Sequence, residues 1–413
     1  MKNKKNDFLF YKDWDNCATG SVSSLAGRLA AFATEFGLSG NVWQHWLTYI
    51  LMTDDNAFTL ACERREILPD STLMLLAERD LEVFMELFKA GDADFDEDEK
   101  ILTMMLDYKA PYDGKSVTDA GRMIEELSAG LAKADDVKSF ARILTEHYSK
   151  HGCGMYGLYK AFRVSAEEGV AGGLKLVPVT ESADVTLDDL IGYEAQKKTL
   201  RDNTEAFVSG HYANNVLLYG DSGTGKSTSV HALMHEYSDR GLRLIEVSKQ
   251  DRVRLPQILS EIKKRNYRFI LFLDDLSFEE NESDYKELKA MLEGALETRS
   301  DRVLIYATSN RRHLIRETWG DRSDMEYHKD VHRSDTMEEK LSLASRFGVT
   351  IYYPKPGPEE YLEIVRTLAD RSGIELKGTD LEDAARKWEL RHGGMSGRTA
   401  SQLITWLGGT ENE

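Results

Sequence analysis

Residues 220–227 read Gly220-Asp221-Ser222-Gly223-Thr224-Gly225-Lys226-Ser227, which fits the pattern G-x-x-x-x-G-K-[ST]. The apolar run at 215–219 comes directly before this segment and predicts a buried strand, and residues 228–237 after it predict a helix. Glycines in a turn between strand and helix let successive backbone N–H groups point at a phosphate, where a side chain would collide. We call residues 220–227 the phosphate loop. Lys226 would reach the β- and γ-phosphates of a nucleoside triphosphate, and the Ser227 hydroxyl would ligate Mg²⁺.

Two acidic residues follow a second apolar run. Phe269–Leu273 predicts a buried strand, and Asp274 and Asp275 come directly after it. The carboxyl ends of parallel strands meet at one edge of a sheet, so Asp274 is expected beside the phosphate loop, where it would hold Mg²⁺ directly or through water. Asp275 would orient and polarise the attacking water. Because Glu is the usual residue for that task, Glu279 and Glu280 are alternatives, although exposed acids after a strand are common.

Three polar residues later in the chain are further candidates for the same site. Asn310 follows the strand predicted at 303–308 and could hold the water or the γ-phosphate. Arg346 precedes the strand predicted at 349–353, and at a subunit boundary it would reach a neighbour's γ-phosphate. Arg398 opens a helix near the end of the chain and would fold back onto the nucleotide. The alternative for Asn310 is an ordinary turn, and for each arginine it is a surface salt bridge.

Strand-like and helix-like segments alternate from residue 187 onward, which predicts βαβ units and a mainly parallel sheet. The predicted strands are Val216–Tyr219, Arg243–Val247, Phe269–Leu273, Val303–Thr308 and Val349–Tyr353. We therefore predict an α/β fold preceded by a mostly α-helical domain. Its parts are an N-terminal domain at 1–166, a linker at 167–186, a nucleotide-binding domain at 187–357 and a helical lid at 358–413.

Apolar residues spaced three to four apart predict the helices of the N-terminal domain and the lid. The predicted helices are Leu25–Phe36, Trp43–Glu66, Thr72–Ala90, Ala120–Ala132, Val137–Lys150, Glu359–Asp370, Asp380–Leu390 and Gly397–Leu407. Trp43 and Trp46 lie three residues apart on one predicted face, which favours core packing over a ligand site.

The composition narrows the class of protein. The chain has 413 residues, 41% of them apolar, and a net charge of −18. Acidic residues exceed basic ones in both halves, which argues against a dedicated nucleic-acid binder. The apolar runs are too short to cross a bilayer, and no secretion signal follows Met1. Three scattered cysteines form neither a disulfide framework nor a zinc pattern, so we expect a cytoplasmic protein without a membrane partner.

Taken in order along the chain, these motifs resemble those of AAA+ ATPases over roughly residues 185–413. Three segments are similar to a bacterial group of predicted AAA+ ATPases known only as a domain of unknown function. These segments are Asp274–Glu279, Thr308–Leu314 and Ser396–Ala400. The resemblance implies a P-loop NTPase sheet with a helical lid, ATP and Mg²⁺ as ligands, and assembly of identical subunits into a ring. It also implies that the segment before the first strand, with Ile191 and Gly192, contacts adenine.

The chain departs from protein-threading AAA+ machines in two segments. Residues 247–254 contain neither the aromatic residue nor the glycine of a pore loop, which argues against threading of a polypeptide. Residues 319–335 form a polar insertion in which His328 and His332 lie four apart, and a solvated loop is favoured there over a metal pair. The sequence thus predicts an ATP-hydrolysing switch or remodeller of a protein partner bound through the N-terminal domain. The alternatives are an ATP-gated loader on nucleic acid and a P-loop kinase.

Overall fold

The computed structural model describes residues 8–11, 22–68, 70–91, 97–110, 117–166, 173–180, 185–277, 288, 292, 301–310 and 343–410. The chain divides into two units, Met1–Tyr159 and Lys160–Glu413. Among the described residues, no helix combines the length and the apolar character that crossing a membrane requires.

The first unit is built from helices around an aromatic-rich core. Its helices are α1 Val22–Phe36, α2 Val42–Thr53, α3 Ala57–Glu63, α4 Thr72–Phe88, α5 Asp119–Leu131, α6 Val137–His151 and α7 Gly154–Leu158, with a 3-10 helix at Glu97–Met105. Trp43, Phe58, Phe84 and Phe140 are fully or almost fully buried in the core. Trp46 is buried with them, so the predicted core role of both tryptophans is confirmed.

The helix predicted over Trp43–Glu66 is wrong, because the structure has two helices there. The α2 helix ends at Thr53, and α3 begins at Ala57. The Asn56 side chain accepts hydrogen bonds from the backbone N–H groups of the first turn of α3, and the Thr59 hydroxyl accepts one from the backbone N–H of Asn56. Such a reciprocal cap starts a new helix, which apolar spacing alone does not reveal.

The second unit is organised around a seven-stranded sheet of described strands. They are β1 Ala161–Ala166, β2 Leu174–Pro178, β3 Val216–Gly220, β4 Leu242–Glu246, β5 Arg268–Leu273, β6 Val303–Ser309 and β7 Val349–Tyr353. Their order across the sheet is β2-β1-β4-β5-β6-β3-β7. All neighbours are parallel except β2, which runs antiparallel to β1. The predicted α/β fold is confirmed, and each of the five predicted strands agrees with β3–β7 within about one residue at each end.

The two strands at one edge of the sheet differ from the predicted layout. The β1 strand falls in the predicted N-terminal domain, and β2 falls in the predicted linker at 167–186. Ala161, Phe162 and Leu176 are the buried residues of these short strands. So few buried positions give almost no period-two pattern, which explains why the sequence did not reveal them. The second unit therefore begins at Lys160.

Helices cover the sheet and form the lid at the end of the chain. The sheet is flanked by α8 Glu194–Val208, α9 Lys226–Tyr237 and α10 Leu255–Ile262, with 3-10 turns at Leu187–Asp189, Ser238–Arg240 and Lys249–Arg254. The lid consists of α11 Pro358–Arg371, α12 Thr379–Arg391 and α13 Gly397–Thr410. It has its own core, which includes Tyr361, Val365 and Leu403. The three helices predicted for this part of the chain are confirmed.

Candidate nucleotide-binding site

The phosphate loop follows β3 and leads into α9, as the sequence predicts. Gly220 has a φ of +140° and Gly225 a φ of +89°. A Cβ at Gly220 would collide with the backbone carbonyl of Tyr353, and one at Gly225 would lie 2.7 Å from Cδ2 of Leu190. Both positions therefore need glycine for their backbone conformation and for space. The loop packs closely against β7 on one side and against the segment before α8 on the other.

Lys226 directs a buried ammonium group across the loop. Its side chain Nζ donates to the carbonyl oxygens of Gly220 (3.0 Å) and Asp221 (2.6 Å), and to Oδ1 of Asn310 (3.0 Å). Burial lowers the pKa of the Lys226 ammonium, while nearby carboxylates, that of Asp221 foremost, oppose the shift. A phosphate oxygen would offer this cation a charged acceptor in place of neutral carbonyls.

The two acids lie at the carboxyl end of β5, and β6 separates this strand from β3. The Ser227 hydroxyl donates to Oδ1 of Asp274 at 2.6 Å. A hydroxyl and a carboxylate beside a phosphate loop are hard oxygen ligands of the kind that Mg²⁺ prefers, so these residues fit the ion. Asn310, after β6, donates from Nδ2 to Oδ1 of Asp275 at 3.2 Å. Asn310 therefore contacts both Asp275 and the ammonium of Lys226.

Thr308 is a site residue to which the sequence analysis assigned no role. It lies on β6, is 2% exposed and lines the cavity with the acids. Its hydroxyl donates to Oδ1 of Asp274 and accepts from the backbone N–H of Asp275 at 3.0 Å. The available signal was its position two residues before Asn310, which places both side chains on the same side of a strand near its end.

One cavity of about 500 Å³ joins most of the predicted residues. Its polar lining comes from residues of the phosphate loop from Ser222 to Ser227, and from Asp274, Asp275 and Asn310. Its apolar lining comes from Leu190, Ile191, Tyr193, Ile364 and Leu368. The cavity therefore offers charged groups for phosphates and apolar side chains for a nucleobase.

The segment before α8 lines the cavity and contacts the lid. Ile191 packs against the core of the lid. Arg371 of the lid donates from Nη1 to the carbonyl oxygen of Asp189 at 3.1 Å, and from Nη2 to that of Asp188 at 3.2 Å. Gly192 is exposed with a φ of +80° and is not among the described residues that line the cavity. The structure therefore brings Ile191 into the site but leaves Gly192 beside it.

Arg398 brings the start of α13 onto the phosphate loop. Its backbone N–H donates to the carbonyl oxygen of Gly223 at 3.3 Å, and its side chain lines the cavity. The guanidinium contributes to lowering the pKa of Lys226, as expected for two cations that face one space. A residue of the lid thus lies beside the phosphate loop.

Arg346 lies away from this cavity. It is exposed and precedes β7, where the backbone N–H of Val349 donates to the carbonyl oxygen of Asn215 at 3.2 Å. Asn215 precedes β3, so Arg346 lies at the amino edge of the parallel strands, opposite the phosphate loop. Among the described residues that line the cavity, Arg346 is absent. Its role toward another subunit stays a prediction.

Several predicted features lie outside the described residues. They are Glu279 and Glu280, the alternatives to Asp275, and the insertion at 319–335 with His328 and His332.

A family model described as "Protein of unknown function (DUF815)" matches residues 159–411. The chain belongs to the DUF815 family. The match begins one residue before the second unit, so it covers the sheet with its two added strands and the lid. With the phosphate loop and the observed strand order, it confirms the predicted resemblance to AAA+ ATPases of unknown task.

The DUF815 chain is also similar to parts of curated proteins. It is 26% identical over 244 residues to the proteasome-activating nucleotidase of Pyrococcus horikoshii, covering 56% of this chain and 57% of that protein. A shorter match, 33% identical over 79 residues, joins it to the replication factor C large subunit of Nanoarchaeum equitans, covering 19% and 18% of the two chains. The DUF815 chain therefore spans little more than half the length of the first of these relatives.

Two solved structures resemble the DUF815 chain over about half its length. The RuvB Holliday junction branch migration motor of Thermotoga maritima has a TM-score of 0.38 and 20% identity, covering 53% of this chain and 63% of that one. The FIGL-1 AAA domain in complex with ADP has a TM-score of 0.38 and 21% identity, covering 54% and 73%.

Proposed function

We propose that this chain binds ATP with Mg²⁺ in the cavity, hydrolyses it, and uses the cycle to switch or remodel a protein partner. One observation carries the proposal. A single cavity of about 500 Å³ is lined by residues 222–227 of the phosphate loop, which include Lys226, by Asp274, Asp275 and Asn310, and by Arg398 of the lid. These residues come from the ends of three strands and from a separate helical layer.

The residues would divide the work by charge. Lys226 would exchange its carbonyl partners for oxygens of the β- and γ-phosphates. Ser227 and Asp274 would hold Mg²⁺, which neutralises phosphate charge when bound. Asp275 would orient the attacking water and accept its proton, and Asn310 would keep the Asp275 carboxylate in place.

The lid would couple the state of the bound nucleotide to a conformational change. Ile191 lines the cavity and packs against the lid core, and Arg398 of the lid lies beside the phosphate loop. A bound nucleotide would touch the sheet and the lid together, and loss of the γ-phosphate would remove one partner of Arg398. The lid would then change its position relative to the sheet, which is the kind of step that drives a switch.

We further propose that identical subunits form a ring and that Arg346 acts on the nucleotide of a neighbour. Its exposure and its place at the amino edge of the sheet support this role, and it is not among the described residues that line the cavity of its own chain. The first unit would recognise the partner. It has its own core and lies outside the family match, as expected for a part that differs between tasks.

Release of phosphate from ATP by Lys226→Ala, compared with the natural chain, tests the proposal. We expect a fall of about 10²-fold or more, because a buried cation at the transferring phosphate is lost. Lys198→Ala is the matched control, since Lys198 is exposed and pairs only on the surface with Asp202. Equal turnover in Lys226→Ala and the natural chain would refute the proposal. Free phosphate formed without an added acceptor would also separate hydrolysis from a kinase reaction.

The short match to a replication factor C large subunit gives a second candidate, an ATP-gated loader on nucleic acid. The net charge of −18 opposes it, because affinity for nucleic acid comes mainly from neutralising phosphates. Fluorescence anisotropy of labelled single-stranded DNA, with ATP and at two salt concentrations, distinguishes the candidates. Salt-sensitive binding that needs ATP would favour the loader over the protein remodeller.

A further inference from the structure

We infer that Thr308 is a positioning residue for hydrolysis, and that its hydroxyl fixes both acids of the site. This inference rests on the proposed function, because it assigns a task within the same reaction. Thr308 would touch neither the phosphates nor the water, and would act through Asp274 and Asp275.

The geometry around the hydroxyl of Thr308 carries the inference. A hydroxyl has one hydrogen to donate, and here it goes to Oδ1 of Asp274. The same oxygen accepts the backbone N–H of Asp275 at 3.0 Å. The Thr308 hydroxyl therefore holds both the carboxylate of Asp274 and the backbone N–H of Asp275. Thr308 is 2% exposed, so water offers no comparable partner in its place.

The turn that carries the acids needs such support. Asp275 has a φ of +49°, a left-handed conformation that residues other than glycine adopt infrequently. The backbone N–H of Leu276 donates to the carbonyl oxygen of Thr308 at 2.6 Å, so the chain stays bound to β6 beyond the end of β5. On the other side, the buried Arg252 donates from Nη2 to the carbonyl oxygen of Asp274 at 3.4 Å.

Two hydroxyl groups share one oxygen of Asp274, and they differ in their other tasks. Ser227 donates to Oδ1 at 2.6 Å, but its oxygen is also a proposed ligand of Mg²⁺. Thr308 is not a proposed metal ligand, so its hydroxyl does not have to leave Asp274 when the metal binds. Its β-branched side chain also has few rotamers on a strand, which keeps the hydroxyl in one direction.

The experiment compares variants of the full chain that differ in this hydroxyl. Thr308→Val keeps the shape and removes the hydroxyl, whereas Thr308→Ser keeps the hydroxyl and removes the methyl. We expect kcat for phosphate release to fall about 10²-fold in Thr308→Val, as for a small misplacement of catalytic groups, with KM for ATP little changed. Thr308→Ser should recover most of kcat. If Thr308→Val does not fold, Thr308→Ala against Thr308→Ser gives the same comparison.

A control variant separates positioning from loss of a buried hydroxyl as such. Thr204 is fully buried in the same unit, and its hydroxyl bonds with the carbonyl of Leu200 (2.9 Å) and the hydroxyl of Tyr306 (2.8 Å). Thr204→Val should lower thermal stability while kcat stays near that of the natural chain. An equal loss of kcat in Thr204→Val and Thr308→Val would overturn the inference.

Amide hydrogen exchange gives a readout that does not depend on turnover. In Thr308→Val, the amide of Asp275 should exchange faster, because its acceptor is the hydroxyl that was removed. The amide of Leu276 should be unchanged, because its acceptor is the backbone carbonyl of residue 308. Unchanged exchange at Asp275, or natural kcat in Thr308→Val, would overturn the inference. Absence of phosphate release from the natural chain would instead refute the proposed function, and the exchange data would still decide whether Thr308 holds the turn.

Discussion

The two units of the chain use their buried polar groups differently. In the first unit, the Asp80 carboxylate accepts hydrogen bonds from the backbone N–H groups of Leu9 (3.1 Å) and Phe10 (2.8 Å). The hydroxyl of Tyr148 donates to the carbonyl oxygen of Leu51 at 2.7 Å. Each of these bonds joins segments distant in the sequence, and none of these residues lines the nucleotide cavity.

In the second unit, buried polar side chains converge on one space. Lys226 and Thr308 are both almost fully buried, and both line the cavity with the acids. In the proposed function, a nucleotide would contact the ammonium of Lys226, and its metal would contact Asp274, the partner of Thr308. Burial of a polar group therefore does not by itself indicate function. What distinguishes the second unit is that its buried polar groups share a cavity.

Among the tests of this difference between the units, the largest effect on phosphate release is expected for Asp275→Asn. Loss of the proposed proton acceptor should lower phosphate release about 10²- to 10⁴-fold, while a fluorescent ATP analogue still binds. Single-turnover phosphate release and equilibrium titration measure the two properties. Asp202→Asn, at an exposed site paired with Lys198, is the control and should retain turnover. If Asp275→Asn released phosphate as fast as the natural chain, Asp275 would not be the proton acceptor and another group would have this role.

Arg346→Ala tests whether the cavity is complete within one chain. We expect turnover to fall about 10³-fold, within the range for a lost arginine finger, and turnover per subunit of the natural chain to rise with protein concentration. Sedimentation velocity at the same concentrations gives the assembly state. Arg142→Ala, an exposed arginine of the first unit paired with Glu146, is the control. A fully active monomer would contradict the role in trans.

Asp80→Asn tests the buried polar groups of the first unit, which are expected to contribute to stability and not to turnover. A carboxamide is neutral and has one acceptor oxygen instead of two, so one backbone N–H should lose its acceptor and the other should keep only a neutral one, and the free energy of unfolding should fall by about 2 kcal/mol. Urea unfolding followed by circular dichroism measures this, with the exposed Asp70→Asn as control. Phosphate release below the melting range should be unchanged. A loss of turnover without a loss of stability would assign a functional role to the first unit's polar groups.

The smallest effect concerns pH and His147 of α6. Burial lowers the pKa of His147 from 6.5 to about 3, and the charges of His151 and Lys150 act in the same direction. The unfolded chain therefore binds a proton that the folded chain does not between pH 6.5 and about 3, so stability is complete above 6.5 and declines as the pH falls.

At pH 5.5 the expected loss is about 1 kcal/mol relative to pH 7.5. Urea unfolding at both pH values, in the natural chain and in His147→Gln, measures this contribution. The variant should show a shallower pH dependence, whereas His211→Gln, at an exposed position of the second unit, should not. Equal pH dependence in all three proteins would contradict the assignment.

Much of the second unit was predictable because its signals are local and strong. Strands buried on both faces read as apolar runs, and the phosphate loop fixes the strand before it and the helix after it. Because neighbouring parallel strands end at one edge, the sequence alone was enough to place Asp274 and Asn310 beside Lys226. The lid residue Arg398 was predicted from its place at the start of a helix near the end of the chain.

The features that the sequence did not reveal depend on few residues or on pairing at a distance. The break between α2 and α3 depends on one capping side chain, that of Asn56, and β1 and β2 contain very few buried residues. Thr308 was missed because a threonine at a strand end is common. Its two bonds exist only once β5 and β6 are neighbours.

The edge strand β1 has a mechanical consequence. The first unit ends at Tyr159, the carbonyl of Lys160 already accepts from the backbone N–H of Leu244 at 3.0 Å, and β1 begins at Ala161. A pull on the amino end of β1 would therefore load its parallel backbone hydrogen bonds with β4 along the strand axis, in shear. Such a pull would reach the phosphate loop through β4, β5, β6 and β3, the strands that follow β1 in the sheet.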